Sequence, residues 1–153
     1  MTTNGYVCGE CGQRFAQPGY CAQDGQALQP STDPLIGTEV GSYRLAKCIG
    51  IGGMGHVYMA VQPRIGSRVA VKVLSDQCAR NPELLERFFA EARAVNLIRH
   101  ENIVSVIDMA QLADGRPYIV MEFIEGQTLG AIVRRGAAPL GGVVRALGEV
   151  LSA

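Results

Sequence analysis

Two kinds of residue in this sequence carry recognisable chemistry at short spacing: a run of glycines followed one strand later by a lysine, and a set of cysteines near the start. Gly50-Ile51-Gly52-Gly53-Met54-Gly55 supplies glycines where a backbone must turn tightly and approach a phosphate with no Cβ in the way. Alone, such a run is a weak signal, and its flanks decide what it does. A dinucleotide-binding loop opens straight into a helix, whereas His56-Val57-Tyr58-Met59-Ala60-Val61 is β-branched and aromatic and predicts a returning strand. The loop therefore caps a hairpin. Lysine is scarce here, occurring only at Lys47 and Lys72 among basic residues that are otherwise arginine, and Lys72 ends the apolar run Val69-Ala70-Val71.

The five cysteines are Cys8, Cys11, Cys21, Cys48 and Cys78. An odd number with three crowded near the start suits a metal knuckle in a reducing compartment better than a disulfide framework. Cys8-Gly9-Glu10-Cys11-Gly12 and Cys21-Ala22-Gln23-Asp24-Gly25 share one template of ligand, two residues, ligand, glycine. The segment resembles a zinc ribbon, in which two such turns complete a tetrahedron around one Zn²⁺. Asp24 departs from that pattern by standing where cysteine is usual. A carboxylate ligates zinc, so Cys8, Cys11, Cys21 and Asp24 form one candidate set, expected to hold the ion less firmly than four thiolates. The competing reading is an Asx-turn at Asp24-Gly25 with three reduced thiols and no metal. Cys48 and Cys78 read as small packed residues.

The elements that must position these groups follow from pattern. Pro30, Ser31, Thr32, Asp33, Pro34 and Gly37 break any regular ladder and mark residues 30–42 as a connector behind a small segment of residues 1–29. Strands are predicted at Tyr43 to Ile49, His56 to Val61 and Val69 to Leu74. Asn81-Pro82-Glu83 is a helix start, with a capping side chain, a proline whose missing N–H is harmless, and an acid at the positive dipole end. The helix should run from about Pro82 to Ile98, with Leu85, Phe88, Phe89, Ala92 and Val95 on its packed face. Strands at Ile103 to Met109 and Pro117 to Phe123 flank the turn Ala113-Asp114-Gly115, and helices are expected at Thr128 to Arg135 and Leu140 to Ala153. That order argues an α+β fold with a five-stranded antiparallel sheet and one long helix.

Bulk properties exclude some functions. With Lys+Arg and Asp+Glu both at 14, the formal net charge is zero, and no global field draws nucleic acid or anionic membrane. No apolar run approaches the roughly 20 residues of a spanning helix, so a soluble cytoplasmic chain is the expectation.

Taken with Val69-Ala70-Val71-Lys72, the loop resembles the glycine-rich loop and strand-three lysine of bacterial-type serine/threonine protein kinases. The likeness runs from Tyr43 to Ala153: residues 43–125 match the small lobe, and residues 126–153 match the hinge exit and first helices of the large lobe. It implies an ATP-binding role for Lys72 against the α- and β-phosphates, and for Glu91, within Phe89-Ala90-Glu91-Ala92-Arg93, as the carboxylate that orients it. A plain surface pair between Glu91 and Arg87, one turn earlier, is the alternative. Tyr118 to Gly126 looks like strand five entering the inter-lobe hinge. The resemblance implies Met121 as gatekeeper, Glu122 and Ile124 as backbone contacts to adenine, and Ile49, Gly50, Gly52, Gly53, Gly55, Val57 and Ala70 around the ring and phosphates. His100 matches a structural turn residue. No His-Arg-Asp run occurs, and no aspartate precedes Phe-Gly. The catalytic loop and the Mg²⁺-holding aspartate of the family are therefore not in these residues. The expectation is an ATP-binding lobe inactive in phosphotransfer alone, cut off inside a helix, with Val143, Val144, Leu147, Val150 and Leu151 unpaired. The other reading is a non-catalytic adaptor or gene fragment. Protein substrate and docking partner are not written in these residues.

Overall fold

The computed structural model describes residues 5–98, 100–136 and 139–152. Met1 to Asn4 at the start of the cysteine segment, and Ala153 at the end of the last predicted helix, lie outside the described residues.

Two antiparallel sheets organise the chain. The smaller has order β2-β1-β3, from β1 (Gly5–Val7), β2 (Arg14–Phe15) and β3 (Gln29–Ser31). The larger has order β4-β5-β6-β7-β9-β8, from β4 (Glu39–Val40), β5 (Tyr43–Gly52), β6 (Gly55–Val61), β7 (Arg68–Leu74), β8 (Val106–Gln111) and β9 (Pro117–Glu122). Five of its strands are those read from the sequence. The sixth, β4, is a two-residue edge in which Val40 opposes Tyr43, too short to show any alternation. β5 runs on through the first glycines to Gly52, paired with Gly55, so the loop is the tip of a long hairpin. β8 begins at Val106 rather than Ile103, because His100 to Ile103 close a turn, with the Ile103 N–H on the His100 carbonyl at 3.0 Å.

Helix α2 (Pro82–Ile98) has the expected bounds, and Asn81 Oδ1 accepts from the N–H groups of Glu83 and Leu84 at 3.0 and 3.3 Å. Ahead of it lies a single turn, α1 (Asp76–Ala79), capped by the Ser75 side chain. Four residues carry no periodicity, which is why it escapes a pattern search. Helices α3 (Leu129–Arg134) and α4 (Leu140–Leu151) follow. Of the five apolar residues expected to be unpaired on α4, Val144, Leu147, Val150 and Leu151 are exposed, whereas Val143 is partly buried.

Alternation along β7 separates two cores. Val69, Val71 and Val73 face outward and pack with Leu45, Tyr58, Ala60, Tyr118 and Val120. Val7, Ile36 and Val40 from the amino-terminal segment cover them. Leu74 faces inward with Ile119, Cys78, Phe88 and Ala92, so α2 lies against the opposite side of the sheet. A third small cluster, Ala46, Met59 and Val61 with Phe123, sits where β9 ends.

Candidate functional site

Period-two alternation puts Lys72, between Val71 and Val73, on the inner face of β7, where α2 crosses. There its Nζ lies 3.1 Å from Glu91 Oε2 and 5.5 Å from the centre of the Phe88 ring. Helical spacing brings Phe88 and Glu91, three residues apart, to the same side of α2. The Lys72 side chain is 28% exposed and that of Glu91 47%, so the pair is accessible at the edge of a cleft rather than sealed in the core. Arg87 also reaches Glu91, Nε to Oε1 at 3.8 Å. Glu91 thus makes both contacts at once, one oxygen for each cation. At this length and exposure the Arg87 contact is worth a few tenths of a kcal/mol, about the value of an exposed pair one turn apart.

In front of Lys72 opens a cavity of about 300 Å³ lined by Gly50 to Gly55, Val57 and Lys72. The glycines of this loop divide by the reason for their identity. A Cβ on Gly55 would overlap the Val73 carbonyl oxygen, so packing alone demands glycine there. Nothing comparable holds Gly50, Gly52 or Gly53. None has a positive φ, and a Cβ on Gly53 would meet no atom within 4 Å, on Gly52 only the Gly55 oxygen at 3.8 Å, and on Gly50 only Val57 at 3.7 Å. A Cβ at these positions would meet open space or only ordinary contact. Such a bare backbone next to a lysine fits the tail of a nucleoside triphosphate.

Of the other site residues read from the sequence, Val57 lines this cavity, whereas Ile49, Ala70, Glu91, Met121, Glu122 and Ile124 are not in its lining. Val57 opposes both Gly50 and Lys72, and Ala70 opposes Met121 across β7 and β9. Met121 is half-buried against the inner core. Ile49 is exposed at the root of the loop, and Ile124 is exposed just past β9. Glu122 ends β9 with its N–H on the Ser105 carbonyl at 3.0 Å, while its carboxylate accepts from the Ser105 N–H at 2.9 Å. The segment expected to be a hinge thus falls where the sheet gives way to the chain leading to α3.

Away from the cleft, the cysteine segment forms two turns with the same hydrogen bonds. The Cys8 N–H donates to the Gln13 carbonyl and the Gly12 N–H to the Cys8 carbonyl; the Cys21 N–H donates to Gln26 and the Gly25 N–H to Cys21. Gly12 and Gly25 both take positive φ, 73° and 66°, which is why each turn ends on glycine. The ligand atoms of Cys8, Cys11, Cys21 and Asp24 all lie within 4.8 Å of one another. Cys11 Sγ is 3.6 Å from Cys21 Sγ, and Asp24 Oδ2 is 3.2 Å from Cys8 Sγ and 3.3 Å from Cys21 Sγ. A tetrahedron with Zn–S bonds near 2.3 Å spaces its sulfurs by about 3.8 Å. Burial raises the Cys8 and Cys11 thiols, and hydrogen bonds from Cys11 and Cys8 hold the Asp24 carboxyl below its ordinary range. The cluster thus brings three thiols and a carboxylate close enough together to hold one metal ion.

One long-range contact has no counterpart in the sequence reading. Arg68, at the start of β7, donates from Nη2 to Glu10 Oε2 at 2.6 Å and from Nη1 to Glu125 Oε1 at 2.8 Å. It ties the first cysteine turn to the segment after β9. The partners are 58 and 57 residues away, so no local pattern joins them.

Comparison with known proteins agrees with this geometry. A sequence model described as the protein kinase domain matches residues 43–153. Serine/threonine-protein kinase Pkn1 of Myxococcus xanthus is 44% identical over 165 residues, covering 99% of this chain and 24% of that protein. Serine/threonine-protein kinase PknA of Mycobacterium tuberculosis is 43% identical over 107 residues, covering 67% of this chain and 25% of the relative. The crystal structure of the M. tuberculosis PknI kinase domain superposes with a TM-score of 0.59 at 28% identity, over 74% of this chain and 46% of that one. The chain thus spans about a quarter of the curated relatives and about half of the solved domain. With the domain match covering most of its length, and a glycine-tipped hairpin, a strand lysine and a helix glutamate in place, this chain belongs to the protein kinase family, among relatives of the bacterial serine/threonine type.

Proposed function

We propose that residues 43–125 bind ATP, as the nucleotide-holding part of a serine/threonine protein kinase that transfers the γ-phosphate to protein hydroxyls. The observation that carries this reading is the 3.1 Å contact between Lys72 and Glu91, made across two elements beside the bare-glycine cavity. In this reading Lys72 draws the α- and β-phosphate oxygens, Glu91 keeps the ammonium aimed at them, and the backbone of Gly50, Gly52 and Gly53 closes over the tail. The Glu122 carbonyl and the Ile124 N–H take the adenine edge, Ile49, Val57 and Ala70 cover the ring, and Met121 bounds the pocket behind it. Within the family Mg²⁺ accompanies ATP and neutralises charge on the transferring group. Neither a catalytic loop nor an Asp-Phe-Gly segment is among these 153 residues, so they supply nucleotide positioning and not the acceptor side. Calorimetric titration with ATP tests the reading: the wild-type chain should bind, and Lys72→Ala should lose measurable affinity. A folded wild-type chain that takes up no ATP at millimolar concentration would favour an adaptor instead.

We also propose that Cys8, Cys11, Cys21 and Asp24 hold Zn²⁺. The matched hydrogen bonding of the two turns and the spacing of the four ligand atoms support it. Elemental analysis of protein prepared without chelator should find close to one zinc per chain, and less than half would leave the Asx-turn reading.

A further inference from the structure

We infer that the metal held by Cys8, Cys11, Cys21 and Asp24 is a structural element of the kinase lobe itself, clamping the amino-terminal cover onto the outer face of the sheet. This rests on the zinc reading above and adds what the ion does.

The first turn touches the lobe at three successive points. Val7, immediately before Cys8, is 5% exposed and lies in one core with Leu45, Tyr58 and Val71. Glu10, between the two cysteines, holds Arg68 at the head of the strand that carries Lys72. Gly12, directly after Cys11, has φ 73°, and a Cβ there would lie 2.6 Å from the Leu45 carbonyl oxygen. The second turn has no such support, since Gly25 has no atom within 4 Å of a Cβ and its neighbours are exposed.

Between residues 5 and 31, the buried apolar residues are Val7, Cys8 and Cys21. Two of these are ligands, and the third belongs to the core of the lobe. A segment with no apolar core of its own is ordered by what it is fastened to, here β5 and β7 on one side and an ion on the other. As three thiols give up their protons and bond the metal, the free energy of binding becomes free energy of folding for whatever the closed turn grips. What it grips is the outer face of the sheet.

Amide hydrogen exchange of the 153-residue chain, metal-free and loaded with Zn²⁺, distinguishes this from a self-contained appendage, with zinc content measured on the same samples. One zinc per chain is expected, with exchange slowed at least about threefold both in residues 5–28 and in residues 44–46 of β5 and 69–71 of β7. The Cys21→Ser chain in the same zinc should show neither effect. One zinc per chain with protection confined to residues 5–28 would overturn the clamp and leave the metal site standing. Less than half a zinc per chain would remove both. In Arg68→Ala, which keeps all four ligands, zinc should still bind while the added protection at residues 69–71 shrinks; undiminished protection there would remove the contact of Glu10 with Arg68 from the clamp.

Discussion

Alanine at Gly53 and alanine at Gly55 should have opposite effects on stability, because the fold needs only one of these glycines. At Gly53 the added methyl meets no atom within 4 Å and the backbone has no positive φ. The main thermodynamic effect is then on the unfolded chain, whose reduced freedom stabilises the fold by about 0.4–1 kcal/mol. For a chain of this size that raises the melting temperature by roughly 1–4 °C. On the proposed ATP-binding reading, the methyl also crowds the backbone N–H that would meet a phosphate. Losing one hydrogen bond to a charged group costs about 1.5–3 kcal/mol, or roughly ten- to a hundredfold in ATP affinity. At Gly55 the methyl would overlap the Val73 carbonyl and lie 2.9 Å from the Ser75 nitrogen, both backbone atoms that cannot swing aside. Overpacking of this kind costs about 1–3 kcal/mol, a drop of several degrees. Thermal unfolding by circular dichroism and calorimetric titration with ATP read both quantities on each variant. If Gly53→Ala binds ATP within twofold of wild type, the loop does not approach phosphate as inferred. If Gly55→Ala melts with wild type, the packing account of that glycine is wrong.

Tyr58→Phe should lower stability by about 1 kcal/mol, since it deletes the fully buried hydroxyl that donates to Asp33 Oδ2 at 2.9 Å. Burial, then the hydrogen bond to Asp33, raises the Tyr58 phenol above its ordinary value of 10.0. A raised folded pKa means the stabilisation is fully present below about pH 10 and is lost as pH climbs toward the folded value. Denaturation at pH 8 and 10.5 should therefore show the wild-type advantage shrinking at the higher pH, and a constant difference would contradict the assignment. The 153 residues alone should transfer no γ-phosphate to protein, because no group in them can position the acceptor hydroxyl or hold the metal at the transferring phosphate. A radiolabelled γ-phosphate assay showing Mg²⁺-dependent turnover would refute that.

The inner half of this lobe was legible in the sequence because its elements are long and strongly patterned. The hairpin around Gly50 to Gly55, the run Arg68 to Leu74 and the capped helix from Pro82 each announce their type within a dozen residues. Resemblance rather than pattern pairs Lys72 with Glu91, and the fold brings them to 3.1 Å because a strand alternation and a helix face converge. The outer half was not legible. Pro30, Pro34 and Gly37 read as a connector, yet Ile36 and Val40 within that stretch enter the core over β7. A lone Leu35-Ile36 pair has no period to betray it. What fixes this stretch is a set of long-range polar contacts: Arg14 donates to the Asp33 and Ile36 carbonyls at 2.7 and 2.6 Å, and the Gly37 N–H donates to Leu45 at 2.7 Å. Irregular chain is held by such contacts one at a time, and none leaves a local signature.

Strand β7 joins the two halves, and its register is the quantity on which both depend. Its odd residues, Val69, Val71 and Val73, face the amino-terminal cover, while Lys72 faces the cleft. Because successive side chains alternate, a slip by one residue would turn Lys72 into an apolar core and a valine toward the glycine loop. Pairing on both sides prevents this: Lys72 is opposed by Val57 on β6 and by Ile119 on β9. Arg68 holds the strand's head, between a carboxylate from the cysteine turn and one from the segment after β9. Each of those ion pairs is exposed, and such pairs contribute about 0–1 kcal/mol. The apolar outer face therefore supplies most of the restoring force on register, with its cover of Val7, Ile36 and Val40. Loosening that cover should weaken nucleotide binding through the orientation of Lys72, although no residue of the cover lines the cleft.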